Sequence, residues 1–458
     1  MPRSERDALG ELVLPDGAYY GVQTARALVN FPVGGFRTSP DMIRAYVLVK
    51  KAAAMANVEL GALDKGKGKL ISRAADEILA GGLAEQFLVD AFQAGAGTST
   101  NMNVNEVMAN RALELAGRPK GDYAFIGPND HVNMSQSSND TFPTACHLAV
   151  IFAADRLLPS LSALAAALEE KSREFATVQK PGRTHLMDAL PLKLGDEFRA
   201  WATALRRAGE RVAQRKQDLY EVAIGGTAVG TGANVPAGFR SLVVAKLSDL
   251  AGLALAPARD SFEALQSRAQ LAAFSGSLRE LAQELGTLAN NLRLLGSGPV
   301  AGLGEILLPA VQPGSSIMPG KVNPSLCECL NMICFQVIGN DLAVSLAAQA
   351  GQLELNVFAP VMVHNILGSL SLLGHFLPVF TERCVAGIRA DEPRCRAYLD
   401  LNPALATLLA PRIGYLAAAA LAKEALEKHE SVRQLTLDKG IVSPEEADKL
   451  FGPGTESK

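Results

Sequence analysis

The chain has 458 residues, more than a single hydrophobic core serves, so two or three domains are expected. Hydrophobic residues make up 48% and charged residues 20%, a globular composition. The net charge of −3 gives no electrostatic footprint for nucleic acid or for an anionic membrane, and any anion site must be local.

In chain order, the N-terminus MPRSERDALGELVLPDG is polar and lacks the apolar core of a signal peptide. Residues 1–137 read as a first domain of short helices mixed with Gly-, Pro- and Asn-rich loops. Residues 138–392 read as the long-helix domain. Leu158, Leu161, Leu164 and Leu168 open it, and Leu278, Leu281, Leu285, Leu288, Leu292 and Leu295 form a heptad seam suited to helices packed side by side. From about Met332 to Leu372 the chain is apolar almost all round, which demands protein on every side: the middle of a bundle or a subunit interface. No run reaches about 18 uninterrupted apolar residues, so no membrane span is expected, and the scattered cysteines read as reduced thiols of a cytoplasmic protein. Residues 393–458 form a small terminal domain, where Ser443 and Glu446 match a capping box and GPGTESK reads as a loose tail. Alternating strand patterns are hard to find, and the fold class is all-α. The six cysteines contain no CxxC pair and read as reduced core thiols. Cys327 and Cys329 flank Glu328 as small hydrophobes rather than metal ligands.

Four polar clusters interrupt this apolar background: Gly95 to Glu106, Asn133 to Asp140, Gly182 to Ala189, and GSSIMPGKVNP from Gly314 to Pro324. Any one alone is adequately explained by helix capping. Together they supply many neutral donors with a lysine, an arginine and a histidine, which suits a small polyanion such as a dicarboxylate. The last cluster is not a phosphate loop, because five residues separate Gly314 from Gly320 and Val322 stands where a Ser or Thr would hold magnesium. It reads as an anion-binding loop with Lys321 as a buried cation.

GSSIMPGKVNP resembles the signature of the fumarase/aspartase superfamily, and the other three clusters resemble that family's remaining regions in the same order. The likeness runs from AYYGVQTARALVNFP to SVRQL. It implies three all-α domains, a central bundle of five long helices, and a homotetramer whose bundles pool into a twenty-helix core with shared active sites. It also implies elimination or addition of H–X across a succinyl carbon–carbon bond through an aci-carboxylate. By the same resemblance Ser315 is the base, with Ser316 the lesser candidate, counted among the substrate-binding residues. Lys321, Asn323 and Thr184 bind one carboxylate, while Thr98, Ser137 and Ser138 bind the carboxylate where charge accumulates. Asn139 and His185 hold the leaving amine or water, and Glu328 pairs with His185. The remaining histidines, His131, His147, His364, His375 and His429, read as packing or surface residues.

Within the family the motifs divide. AYYGVQT, GAGTS and ESVRQL look like the aspartase branch, which favours loss of ammonia from L-aspartate. SSNDTFPTA with Ser138, FEAL, GGTAVGTG and LCE look like the fumarase branch, with hydration of fumarate as the alternative. A non-catalytic oligomeric relative is a third reading, opposed by the retained Ser315, Lys321 and His185. Gly127 stands where fumarases carry histidine, and Val300 and Met187 depart from the family's arginine and glutamine. No organic cofactor is expected; a divalent cation such as magnesium enters only as an activator. The expected partners are a small dicarboxylate and further copies of the chain.

Overall fold

A computed structural model describes residues 2–451, and the GPGTESK tail lies outside the described residues. The described chain is mostly helical. Strands β1 (Arg3–Asp7) and β2 (Gly10–Leu14) pair as an antiparallel hairpin before helices α1 (Val22–Asn30), α2 (Pro40–Glu59), α3 (Lys65–Leu79) and α4 (Thr98–Leu115). Next come α5 (Ser138–Glu174), the antiparallel pair β3 (Gln179–Thr184) and β4 (Met187–Lys193), and α6 (Leu194–Gln217). Strand β5 (Glu221–Val222) pairs in parallel with β6 (Ala256–Pro257) around α7 (Phe239–Ala251). Helices α8 (Ser261–Gln266) and α9 (Ala269–Leu295) lead to β7 (Ile306–Leu307), α10 (Ser325–Gln349), α11 (Ala359–Arg383) and β8 (Arg389–Ala390), which closes on β7. The C-terminal helices are α12 (Glu392–Asp400), α13 (Ala410–Ile413), α14 (Tyr415–Lys428), α15 (Val432–Asp438) and α16 (Pro444–Phe451).

Two details correct the sequence reading. The helices of the first 137 residues are not short, since α2, α3 and α4 have 20, 15 and 18 residues. The described residues also form four small two-stranded sheets within a mostly helical fold, and one of them carries a polar cluster.

Two compact units emerge, each assembled from three stretches of chain: residues 1–159, 208–282 and 333–374 in the first, residues 160–207, 283–332 and 375–458 in the second. The first is built around α2, which packs on α3, α4 and α7. Ala45, Ala52, Ala53 and Ala56 are fully buried on it, and such small side chains let helices approach closely. In the second unit β3 and β4 pack against α12 and the 403–409 turn, where Asn402 donates to the Ala189 carbonyl at 2.7 Å. A separate core there gathers Leu405, Leu409, Leu421, Leu435 and Phe451. Its last helix starts with the expected capping box: Ser443 Oγ accepts from the Glu446 N–H at 3.2 Å, and the Glu446 carboxylate accepts from the Ser443 N–H at 3.0 Å.

The leucine seam from Leu278 to Leu295 is buried along α9. On α5 the buried seam starts at Leu157 rather than Leu158 and continues through Leu161, Leu164 and Leu168. The apolar stretch from Met332 to Leu372 is two helices, because Asn356 turns the chain: its amide donates to the carbonyls of Ala347 and Ala348, and its oxygen accepts from the Phe358 N–H. That side chain satisfies the orphan carbonyls that end α10. By length and composition, Ser138–Glu174, Ser325–Gln349 and Ala359–Gly387 are each long and apolar enough to cross a membrane. Polar and charged residues, among them Asp155, Arg156, Asp341 and His364, interrupt their apolar runs.

Candidate active site

The first two polar clusters lie in the first unit. Gly95–Gly97 forms a single tight turn in which Gly97 takes φ +68°, and a Cβ there would overlap the Phe142 ring. The turn delivers Thr98 to the exposed N-terminus of α4, with no side chain capping it. Most of the cluster behind it is scaffolding. Thr100 donates to Gln93 at 2.9 Å, and Asn103 donates to the Gln86 carbonyl at 3.0 Å. The buried Glu106 carboxylate accepts from the N–H groups of Gly21, Gln23 and Thr24 and from the Thr24 hydroxyl, which fixes the start of α1. Burial raises its pKa against those bonds.

The second cluster opens α5. Ser137 Oγ accepts from the Asn139 N–H at 3.2 Å, and Ser138 Oγ lies 3.1 Å from Thr98 Oγ1. Thus Thr98, Ser137 and Ser138 meet where two helix N-termini converge, an arrangement that favours a carboxylate. The Asn139 amide donates to the Ala228 carbonyl at 2.8 Å, in the glycine-rich loop Gly225 to Gly232. That loop is anchored by Asp140, which was not singled out from sequence: its buried carboxylate accepts from Ser137 N–H at 3.0 Å, Gly225 N–H at 3.0 Å and Thr227 N–H at 2.8 Å. Burial pushes its pKa up to about 6 despite these bonds. Lys50 was also missed. Its ammonium donates to Asn101 at 2.7 Å and to Asn133 at 2.8 Å, from a position with no exposed surface. The signal available was a lysine inside an otherwise apolar helix, YVLVKKAAAMAN, which reads by default as a solvated face.

The other two clusters lie in the second unit. The third is the tip of the β3–β4 hairpin rather than a loop between helices. Thr184 faces Met187 in register, so His185 and Leu186 form a two-residue turn with φ +55° and +63°. Neither is glycine, so the turn holds strain that its flanking strands must enforce. Thr184, His185 and Met187 are all exposed. Beneath the tip, Glu305 has no exposed side-chain surface and pairs with Lys180 at 2.9 Å and Arg183 at 2.8 Å, while Lys180 also reaches Glu197 at 2.8 Å. This balanced buried quartet anchors the strand that carries Thr184.

The fourth cluster folds back on itself. Gly314 N–H donates to the Lys321 carbonyl at 2.9 Å, and Asn323 donates to the Gly314 carbonyl at 2.6 Å. A Cβ at Gly314 would overlap that same Lys321 carbonyl oxygen. Ser315 Oγ accepts from the N–H groups of Ile317 at 3.2 Å and Met318 at 3.0 Å. Two amides aimed at a hydroxyl oxygen stabilise its alkoxide. Ser316 and Lys321 are exposed, so the expectation of a buried Lys321 is corrected: in the single chain its ammonium reaches solvent. Glu328 is half-buried in the first turn of α10. Among the described residues, no hydrogen bond or ion pair joins Glu328 to His185. All six cysteines are free, and only Cys329 is less than fully buried.

Comparison with known proteins extends the likeness to the whole chain. Residues 10–339 match the family described as Lyase, and residues 405–455 match the fumarase C C-terminus. An aspartate ammonia-lyase from Bacillus subtilis is 48% identical over 98% of this chain and 95% of its own length. A class II fumarate hydratase from Thermosynechococcus vestitus is also 48% identical, over 98% of this chain and 96% of its own. Among solved structures, a fumarate lyase:delta crystallin from Brucella melitensis bound to cobalt aligns with a TM-score of 0.96 at 49% identity, covering 98% of both chains. A class II fumarase from Schistosoma mansoni aligns at 0.93 with 37% identity, again over 98% of both. The chain belongs to the fumarase/aspartase superfamily of lyases.

Proposed function

We propose that the protein eliminates ammonia from L-aspartate to give fumarate, reversibly, with Ser315 as the base. The observation that supports this most is the pair of loop amides directed at Ser315 Oγ, since a serine removes a carbon-bound proton only as a stabilised alkoxide. In the proposed reaction Ser315 takes the proton from the carbon that will lose it. The electron pair moves into the adjacent carboxylate, forming an aci-carboxylate dianion. Thr98, Ser137 and Ser138 donate to that dianion more strongly than to the ground state, which is where acceleration arises. Thr184, Lys321 and Asn323 hold the other carboxylate, with Ser316 at the loop's edge. The electrons then return, the carbon–nitrogen bond breaks, and Asn139 with His185 holds the departing amine while Glu328 orients the imidazole.

Ammonia is favoured over water by AYYGVQT, GAGTS and ESVRQL. Fumarate hydration is the second reading, favoured by Ser138 with its fumarase-like surroundings, and the equal identity to both kinds of relative leaves it in play. A non-catalytic relative is the third. Following fumarate absorbance with L-aspartate and L-malate offered separately decides among them. Aspartate turnover alone carries the first reading, malate turnover alone the second, and neither leaves the third or another succinyl substrate.

We further propose a cytoplasmic homotetramer with three domains per chain, a twenty-helix core and active sites shared among chains. Phe335, Leu342 and Leu346 support this, because they form a stripe on α10 exposed at 67%, 63% and 53%. Such a stripe calls for another protein surface. A bilayer is the poorer match for α10, because it carries Asp341, held by Ser275 at 2.6 Å and Arg279 at 3.0 Å. The net charge of −3 gives no reason to propose nucleic acid as a partner. Among the described residues no group of three or more His, Cys, Asp or Glu is placed to hold a metal ion, so no residues are assigned to an activating magnesium and no step runs through it.

A further inference from the structure

Lys50 is fully buried in the first unit, and among the described residues its ammonium makes no hydrogen bond or ion pair to a carboxylate. Its ammonium donates to two amide oxygens, Asn101 Oδ1 and Asn133 Oδ1, with the Tyr46 ring centroid 5.5 Å away. These amide oxygens take two of its three donors and leave its charge uncancelled. Removing such a charge from water is unfavourable, and a leucine or methionine would fill the same space without that burden. Its surroundings supply a reason for keeping it. Asn101 lies three residues along α4 from Thr98, and Asn133 precedes Ser137 and Ser138 by one short turn. The Thr141 hydroxyl bridges toward Asn101 Oδ1 at 3.5 Å and the Ser137 carbonyl at 2.8 Å. The ammonium therefore stands one layer behind the three hydroxyls.

We propose that Lys50 is a positioning residue of the carboxylate pocket, a buried cation that acts through Asn101 and Asn133 to favour the dianion formed against Thr98, Ser137 and Ser138. The proposal rests on the lyase reading above and deepens it. In a low-dielectric interior a fixed positive charge behind a donor layer acts more strongly than it would in water, and it needs no rearrangement when negative charge develops. The groups acting on Lys50 are few. Asp140 on α5 is the carboxylate whose field reaches it, Tyr46 on its own helix is held protonated by burial, and the facing side chains of α4 and residue 133 are amides. Burial brings the Lys50 pKa down to about 7, so in the empty protein at neutral pH its charge is only part-present. A carboxylate arriving in front of it draws the missing proton in, and the dianion formed during reaction holds it there.

The test is calorimetric binding of succinate, a saturated dicarboxylate that cannot react, to the full-length protein at pH 7 in two buffers of different ionisation enthalpy. The wild type is expected to take up about half a proton per site, as a group with a pKa of about 7 must when its charge becomes complete. Lys50→Met should take up none. Asn133→Asp should also take up none, because the added carboxylate fixes the lysine's charge before ligand arrives; this variant carries the test if Lys50→Met does not fold. In Lys50→Met, kcat should fall about 100-fold with a much smaller change in KM, the pattern of a lost transition-state interaction. Succinate binding without proton uptake in the wild type, or uptake that persists in the variants, overturns the role of Lys50 alone. No succinate binding by the wild type overturns the dicarboxylate-lyase reading, and this proposal with it.

Discussion

Ser315 gives the sharpest residue-level expectation. Replacing Ser315 with alanine removes the proposed base but none of the proposed carboxylate ligands, so kcat should collapse while inhibition by succinate stays nearly unchanged. Near-normal turnover would remove Ser315 from the reaction. Lys321 is expected to behave differently. If it anchors a carboxylate, Lys321→Met should raise KM steeply as well as slow turnover, with a loss of about 2–5 kcal/mol for the unpaired charge; unchanged KM and unchanged succinate inhibition would reduce it to a loop-shaping role. Asp140 ties helix and loop together. In Asp140→Asn one face of the side chain becomes a donor opposite backbone N–H groups, so a loss of about 2 kcal/mol is expected from denaturant midpoints. The sign of its pH dependence follows from a folded pKa of about 6 against an ordinary 3.8: the folded state binds the proton more tightly, so Asp140 adds stability below about pH 4 that is lost as pH rises through 6. The gap between wild type and Asp140→Asn should therefore be wider at pH 5 than at pH 7.5. Ser315 and Lys321 were named through the likeness of their loop to the family signature, while the loop itself was legible as an anion-binding stretch from its Gly, Ser, Lys and Asn content. Asp140 and Lys50 could not be found from sequence, because a charged residue in a helix is ordinarily at the surface, and only tertiary burial reverses that.

At the scale of elements, what was legible depended on whether the local chain or its neighbours decided the structure. The leucine seam of α9 and the Ser443–Glu446 box are local devices, and both are found where the periodicity and spacing put them. The β3–β4 hairpin was not legible, because its turn residues His185 and Leu186 send none of the Asn-Gly or Asp-Gly signals of such turns. The break between α10 and α11 escaped for another reason: its Gly351 and Pro360 are isolated within a mostly apolar run, and the capping of α10 by Asn356 is made only by the folded turn. The hairpin offers a direct test. Leu186→Gly removes a side chain from a left-handed position and should stabilise the turn by up to about 1 kcal/mol, read from the urea midpoint. Activity should fall in the same variant if the strained turn is what aims His185. A second test is Gly97→Ala, which sets a methyl against Phe142 at φ +68° and should cost at least about 1–3 kcal/mol. Gly97→Ala combined with Phe142→Ala should recover part of that loss if the clash is the cause.

For the whole molecule, the four clusters fall two to each unit, and the His185–Glu328 pair implied by family likeness is not made within one chain. The sites shared among chains proposed above would account for that. Mixing Ser315→Ala with His185→Ala subunits should restore part of the activity through hybrid sites, and its absence after verified subunit exchange would contradict them. The mostly helical architecture was legible in composition and periodicity, whereas the two discontinuous units were not, since no linker marks them. Their boundaries at 159, 207, 282, 332 and 374 each fall inside one of the five long helices. That has a consequence for synthesis. As the chain leaves the ribosome, the first unit is without its last third segment until residue 374 is made, and the second until the C-terminal helices emerge. Neither can finish early and wait for the other, so the nascent chain must carry unfinished apolar helices for most of its translation, and recombination between relatives cannot exchange one unit with a single crossover.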